Sequence, residues 1–114
     1  MSPGEVHLAM FPFGGTIGAK LRPVLLLTGP LGSVPEVLAA YMTSIMPSAL
    51  LPTDIVLDPN QPEHSSTNLR QVTLLRLHKL ATIHDSDVSR HLGRVSVTTW
   101  TDVVGKLRLL LNLP

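Results

Sequence analysis

Hydrophobic and polar positions along the chain divide into five strand-like segments and one helical stripe. In Glu5 to Phe11, Val6, Leu8 and Met10 fall on one face and His7, Ala9 and Phe11 on the other, the period of a strand, and Pro12 ends it. Arg22 to Leu27 is a short apolar run bounded by proline and glycine, which predicts a buried strand with Pro23 near its tolerated start. Val37 to Ser44 is a third strand ending in two hydroxyls, and Leu50 to Pro59 holds a short fourth, closed by an Asp-Pro turn. The fifth, Val72 to Ile83, is the longest; β-branched and long apolar residues run through it without Gly or Pro. Alternation there puts Arg76 and His78 on one face, about 7 Å apart at their Cα atoms. Leu75, Leu77, Ala81 and Ile83 then share the opposite, core-facing side.

The last element has a different period. Trp100, Val103, Val104, Leu107, Leu110 and Leu111 recur at helical spacing, Ser96 suits an N-cap, and Asp102 early with Lys106 and Arg108 late suits the helix dipole. Gly105 weakens this helix by about 1 kcal/mol relative to alanine without abolishing it. Phe13 to Lys20 holds three glycines and is a loop; Gly14-Gly15-x-x-Gly18 lacks both the Lys-Ser/Thr of a phosphate loop and a dinucleotide fingerprint. Asn60 to Asn68 is a polar loop and His84 to Asp87 a turn. Val88 to Leu92 is a short helical or extended piece that stops at Gly93. These elements predict one mainly β domain over residues 1–114, a small barrel or half-open sheet sealed by a C-terminal helix.

Composition and charge change the picture in five ways. A hydrophobic share of 44% with 15% charged residues over 114 positions is that of a globular domain able to bury its own core. The absence of cysteine excludes disulfides, thiol nucleophiles and Cys-ligated metals, and fits a reducing cytoplasm. Aromatic residues are few (Phe11, Phe13, Tyr41 and Trp100), which argues against a base-stacking platform. No apolar run approaches the length of a membrane span and no basic leader opens the chain, so neither membrane nor secretion is expected. Charge is uneven: residues 1–69 set Lys20 and Arg22 against five acids, whereas residues 70–114 set seven cations against Asp85, Asp87 and Asp102. A basic half is compatible with a polyanionic partner and equally with a solvated face.

Candidate chemistry is sparse. His64, His78, His84 and His91 match no zinc spacing and form no i, i+4 pair on a helix, so no metal or other cofactor is expected. What remains is a cation at a strand start (Arg22), two hydroxyls at a strand end (Thr43 and Ser44), and a cation–imidazole pair in mid-strand (Arg76 and His78). Spacing alone leaves open whether these form a site or a wet surface.

A resemblance adds to this pattern. Gly4-Glu5-Val6 with Phe11-Pro12-Phe13, then Lys20-Leu21-Arg22-Pro23 and its apolar strand, then Met42-Thr43-Ser44, Leu51-Pro52-Thr53-Asp54 and Leu75 to Ile83 resemble, in that order, the PemK/MazF family of type II toxin–antitoxin toxins. The resemblance implies an SH3-like barrel with a C-terminal helix, a homodimer, and a cognate antitoxin that folds into the RNA groove. It also implies metal-independent cleavage of single-stranded mRNA at short sequences, leaving a 2′,3′-cyclic phosphate and a 5′-hydroxyl. Arg22 and Thr43 match the family's catalytic arginine and threonine, Arg76 matches an arginine used in the PemK branch, and Ser44 matches a hydroxyl lining the site. Phe13 to Lys20 match the loop that approaches RNA, so Phe13, Thr16 and Lys20, with Ser44 and Lys79, are expected RNA contacts.

That chemistry suits the residue types. The ribose 2′-hydroxyl needs a base, the phosphorus needs charge stabilisation, and the departing 5′-oxygen needs an acid. Arginine offers a planar fork for phosphate oxygens but hardly deprotonates. His78 departs from the family, which often carries an acidic residue there. An imidazole that Arg76 keeps neutral suits a general base at neutral pH, the alternative being that His78 only orders Arg76 or the RNA. Met10 and His7 are further departures, expected to affect packing or the loop. Two other classes stay open: a toxin of the same fold that binds a protein target, such as gyrase, and a non-cleaving RNA-binding barrel.

Overall fold

A twelve-residue strand, Thr73–His84, organises the sheet because two different strands pair along it. In the computed structural model, which describes residues 1–12 and 20–114, the strands are β1 (Glu5–Met10), β2 (Leu21–Leu26), β3 (Glu36–Thr43), β4 (Asp54–Leu57), β5 (Thr73–His84) and β6 (Val88–Arg94). They are followed by α1 (Val97–Leu111). The expected RNA contacts Phe13 and Thr16 lie outside the described residues. All pairings are antiparallel, in the order β4-β5-β3-β2-β1-β6, so β4 and β6 are edges and the barrel is left open between them. The result is mainly β with a C-terminal helix, as the periodicity predicts.

The strand count and two facings differ from the sequence expectation. Val88 to Arg94 is a sixth strand, and Gly93 lies inside it rather than ending it. Glycine is required there, because a Cβ would collide with the Ser66 carbonyl oxygen, where the 3-10 turn Pro62–Thr67 rests on β6. That turn occupies most of the expected polar loop and closes on Asn68 in the left-handed region, with φ of 54°.

β5 does not keep one face to one core. Ala40 pairs with Leu80 but Tyr41 pairs with Arg76, so Leu77, His78 and Lys79 occupy a bulge with no ladder partners of their own. An odd insertion inverts which side chains face which way. Leu75 and Leu77 therefore pack with Val6, Leu25, Met42 and Leu57, whereas Ala81 and Ile83 pack with Ala9, Val24, Leu26 and Tyr41 on the other side of the sheet. The predicted common face of Leu75, Leu77, Ala81 and Ile83 is split. Arg76 stays in the ladder and is half-buried; His78 sits in the bulge and is exposed.

α1 seals the first cluster with Val103, Trp100 and Leu107, while Leu111 at the end of the predicted stripe is mostly exposed. Ser96 caps it as expected, its Oγ accepting from the Thr99 N–H at 3.0 Å. Among the described residues, no helix is long and apolar enough to cross a membrane.

Candidate nucleic-acid interface

Strand register decides which candidate residues meet. Val24 of β2 is opposite Tyr41 of β3, and two residues beyond each, at the adjoining strand ends, Arg22 and Thr43 have the same facing. Tyr41 is opposite Arg76, and Arg76 is opposite Asp54 of β4. Arg22, Thr43, Tyr41, Arg76 and Asp54 thus share one face over four strands. By sheet spacing, Thr43 and Arg76 stand about 8 Å apart at their Cα atoms.

Beside this face, the ends of β2 and β3 border a groove of about 760 Å³, closed by residues 68–71 with Thr73 and by Arg90, His91 and Leu92 of β6. Arg22, Thr43 and Ser44 border it; Arg76, His78 and Lys79 do not. Arg70 and Arg90 line it as well, and no acidic residue is among its described lining. The sequence counted these two arginines only within a basic half. Their common destination is set by the 3-10 turn and by the β1–β6 pairing.

Arg76 is held. Its Nε and Nη2 donate to Asp54 Oδ1 and Oδ2 at 3.2 and 3.3 Å, and the Asp54 carboxylate, fully buried, also accepts from the Leu51 N–H at 2.8 Å. A side-on bidentate pair fixes the guanidinium plane and leaves Nη1 for another acceptor. Asp54 entered the sequence analysis only as part of a motif, and orienting Arg76 is what it does in the fold.

Tyr41 links the two halves and was not singled out by sequence. Arg22 Nη1 donates to its hydroxyl at 3.4 Å, and the guanidinium carbon lies 5.7 Å from the ring centroid. Lys79 Nζ lies 5.0 Å from the same centroid. Cation–π attraction of this kind is worth about 0.5–1 kcal/mol where water has access. The signal was available in the alternation of β3, which puts Tyr41 on the face of Thr43.

The remaining residues are placed simply. Thr43 Oγ1 accepts from the Ile45 N–H at 3.1 Å, Ser44 is exposed at the strand end, and Lys20 is exposed just before β2. The His78 imidazole has its pKa pushed below the ordinary 6.5 by lost hydration first, then by the Arg76 and Lys79 charges, against a weaker pull from Asp54. It is therefore neutral at pH 7. Sequence spacing gave no metal site, yet Glu5, His7 and His91 bring their donor atoms within 4.8 Å of one another. His7 and His91 meet only because they are register partners across β1 and β6.

An open antiparallel sheet of this order, sealed by a terminal helix and flanked by a cation-lined groove, has known relatives. Residues 2–111 match the family described as PemK-like, MazF-like toxin of type II toxin–antitoxin system, and the chain belongs to it. No match was found among the curated proteins. Among solved structures it is similar to the Mycobacterium tuberculosis toxin MazF-mt6, with TM-score 0.72 and 21% identity over 96% of this chain and 98% of that one. It is also similar to a mycobacterial endoribonuclease in complex with its cognate antitoxin, with TM-score 0.73 and 18% identity over 100% and 97% of the two chains. A third similar structure is MazF from Deinococcus radiodurans, with TM-score 0.65 and 21% identity over 98% and 96%. At such identities these likenesses establish the fold.

Proposed function

We propose that this toxin is an endoribonuclease that cleaves single-stranded mRNA by attack of the ribose 2′-hydroxyl on the adjacent phosphate, giving a 2′,3′-cyclic phosphate and a 5′-hydroxyl without a metal. The observation that carries the reading is the groove bordered by Arg22, Arg70 and Arg90 together with Thr43 and Ser44, with no described acidic lining. Such a lining suits a polyanion and lacks the carboxylates that a Mg²⁺ ion would need. RNA brings its own nucleophile, so Thr43 acts as a hydrogen-bond partner of phosphate or ribose and Arg22 stabilises the charge developing on phosphorus. We place the scissile phosphate at the rim of the groove over Tyr41, between Arg22 and Arg76, whose Nη1 adds a second cation. His78 accepts the 2′-hydroxyl proton, its neutral state at pH 7 being what a base requires.

Ser44, Lys20 and Lys79, with Phe13 and Thr16, contact the RNA beyond the scissile phosphate. A second copy completes the groove: Ile45, Met46, Leu50 and Leu51 are exposed in the single chain, and Ile45 borders the groove itself. A cognate antitoxin blocks the site, as the complexed mycobacterial relative supports. The protein acts in the cytoplasm, where its substrate is.

The test is incubation with end-labelled single-stranded RNA in EDTA. Discrete fragments ending in cyclic phosphate, lost in Arg22→Ala and Thr43→Ala, are expected. Intact RNA with a mobility shift alone would reduce the protein to a binder, and RNA neither shifted nor cut would move the search to a protein target.

A further inference from the structure

We propose that Glu5, His7 and His91 form a zinc-binding site at the β1–β6 edge of the sheet. Two imidazoles and a carboxylate are donors that suit Zn²⁺, whereas Mg²⁺ and Ca²⁺ prefer oxygen alone. His7 Nε2 lies 2.8 Å from Glu5 Oε1, and the His7 and His91 rings are 4.9 Å apart between centroids at 60°. All three donor atoms fall within 4.8 Å of one another. Around a tetrahedral zinc with bonds of about 2.0–2.1 Å, donors stand about 3.3 Å apart. The Glu5–His7 pair, hydrogen-bonded at 2.8 Å in the metal-free chain, has only to open by about 0.5 Å to reach that spacing. His91, exposed on the edge strand, has the rotational freedom to close the remaining gap.

The surroundings are organised as they are around metal ligands. The Ser2 hydroxyl donates to Glu5 Oε2 at 2.6 Å, which orients the carboxylate and leaves Oε1 turned to His7. His7 is buried in β1, so one ligand is fixed by packing. Three protein ligands leave a fourth position for water or an anion. Binding would tie β6, an edge strand whose pairing to β1 carries two register shifts, to the rest of the sheet. It would also put a dication against His91, which borders the arginine-lined groove. The site uses neither Arg22 nor Thr43, so it stands or falls independently of RNA cleavage.

Competition with a chromophoric zinc chelator at pH 7.5 tests it. One equivalent of Zn²⁺ is expected per chain, with a melting temperature raised by the metal. His91→Ala should weaken binding by about 100-fold or more, and Ser2→Ala by about tenfold, as expected when the hydroxyl that orients a ligating carboxylate is lost. His84→Ala, which removes another exposed imidazole, should leave the affinity unchanged. Because His91 is exposed, its variant should fold, and circular dichroism of the apo form checks that. Absence of saturable binding up to about 100 µM Zn²⁺, a weak affinity for any functional site, overturns the proposal. So does equal binding by His91→Ala, which would assign the metal to other histidines.

Discussion

Arg76→Ala should be costly to the fold before it is informative about chemistry. The substitution leaves the Asp54 carboxylate, wholly buried, with the Leu51 N–H as its remaining partner among the described residues. Removing one member of a buried ion pair costs about 3–5 kcal/mol, because the other charge is left uncompensated. The Arg76 side chain retains 16% exposure, which lets water approach and favours the lower end of that range. With an unfolding entropy of about 2.1 cal/mol/K per residue over this chain, about 3 kcal/mol lowers the melting temperature by about 12 °C. The assay is thermal or urea unfolding of Arg76→Ala, Asp54→Ala and the double variant. The double variant should be more stable than the sum of the singles implies, since neither charge is orphaned. A melting temperature within about 2 °C of the parent at pH 7, well inside the range of a surface substitution, would falsify the coupling derived from the Asp54–Arg76 geometry.

Four further outcomes are expected. Gly105→Ala should raise stability by about 0.5–1 kcal/mol in chemical denaturation, since the site is an exposed helix interior with no atom within 4 Å of an added Cβ. Gly93→Ala should do the reverse, by about 1–3 kcal/mol or more, because its Cβ would collide with the backbone of Ser66 and Thr67. In single-turnover cleavage, the rate should rise with pH and level off at a midpoint below 6.5, and His78→Ala should lose that acid limb with a rate about 10²–10⁴ lower. The Glu5 carboxyl, lowered from 4.5 to about 2 chiefly by the Ser2 hydroxyl and then by His7, contributes stability that is present above pH 4.5 and lost as pH falls towards 2. Glu5→Gln should therefore flatten the fall in melting temperature across that window.

How much was visible beforehand follows from where the information resides. Alternation along Glu5 to Phe11 and Val72 to Ile83 exposes strands, and the spacing from Trp100 to Leu107 exposes a helix, because each pattern is local. The bulge at Leu77, His78 and Lys79 is not local. It is set by how β3 pairs with two stretches of β5, and so the split of Leu75 and Leu77 from Ala81 and Ile83 could not be read in advance. β6 was hidden for another reason: as an edge strand rich in polar side chains, with an internal glycine, it lacks the apolar run that marks a buried strand. The groove arginines, the Asp54–Arg76 pair and the His7–His91 contact all join residues distant in the chain. Arg22 and Thr43 stood out in the sequence only as a cation at a strand start and a hydroxyl at a strand end; their expected roles came from the resemblance, since such positions carry no spacing of their own.

The register also tells which substitution reads chemistry cleanly. Asp54, Arg76, Tyr41, Val24, His7 and His91 are successive partners across all six strands, a single row over one face of the sheet. At one end the row is anchored by a buried carboxylate, so changes at Arg76 mix folding with function. Arg22, one step off the row, compensates no buried acid among the described residues. Among the described residues its polar contacts are the long hydrogen bond to the Tyr41 hydroxyl, 3.4 Å, and the ring beneath. Losing them costs about 0.5–1 kcal/mol, a small share of the stability of an ordinary domain. Yet Arg22 borders the groove beside Thr43 and Ser44, where a phosphate would gain most from a planar cation. A loss of cleavage in Arg22→Ala with unchanged melting therefore bears on the reaction, whereas the same loss in Arg76→Ala is interpretable only in molecules first shown to be folded.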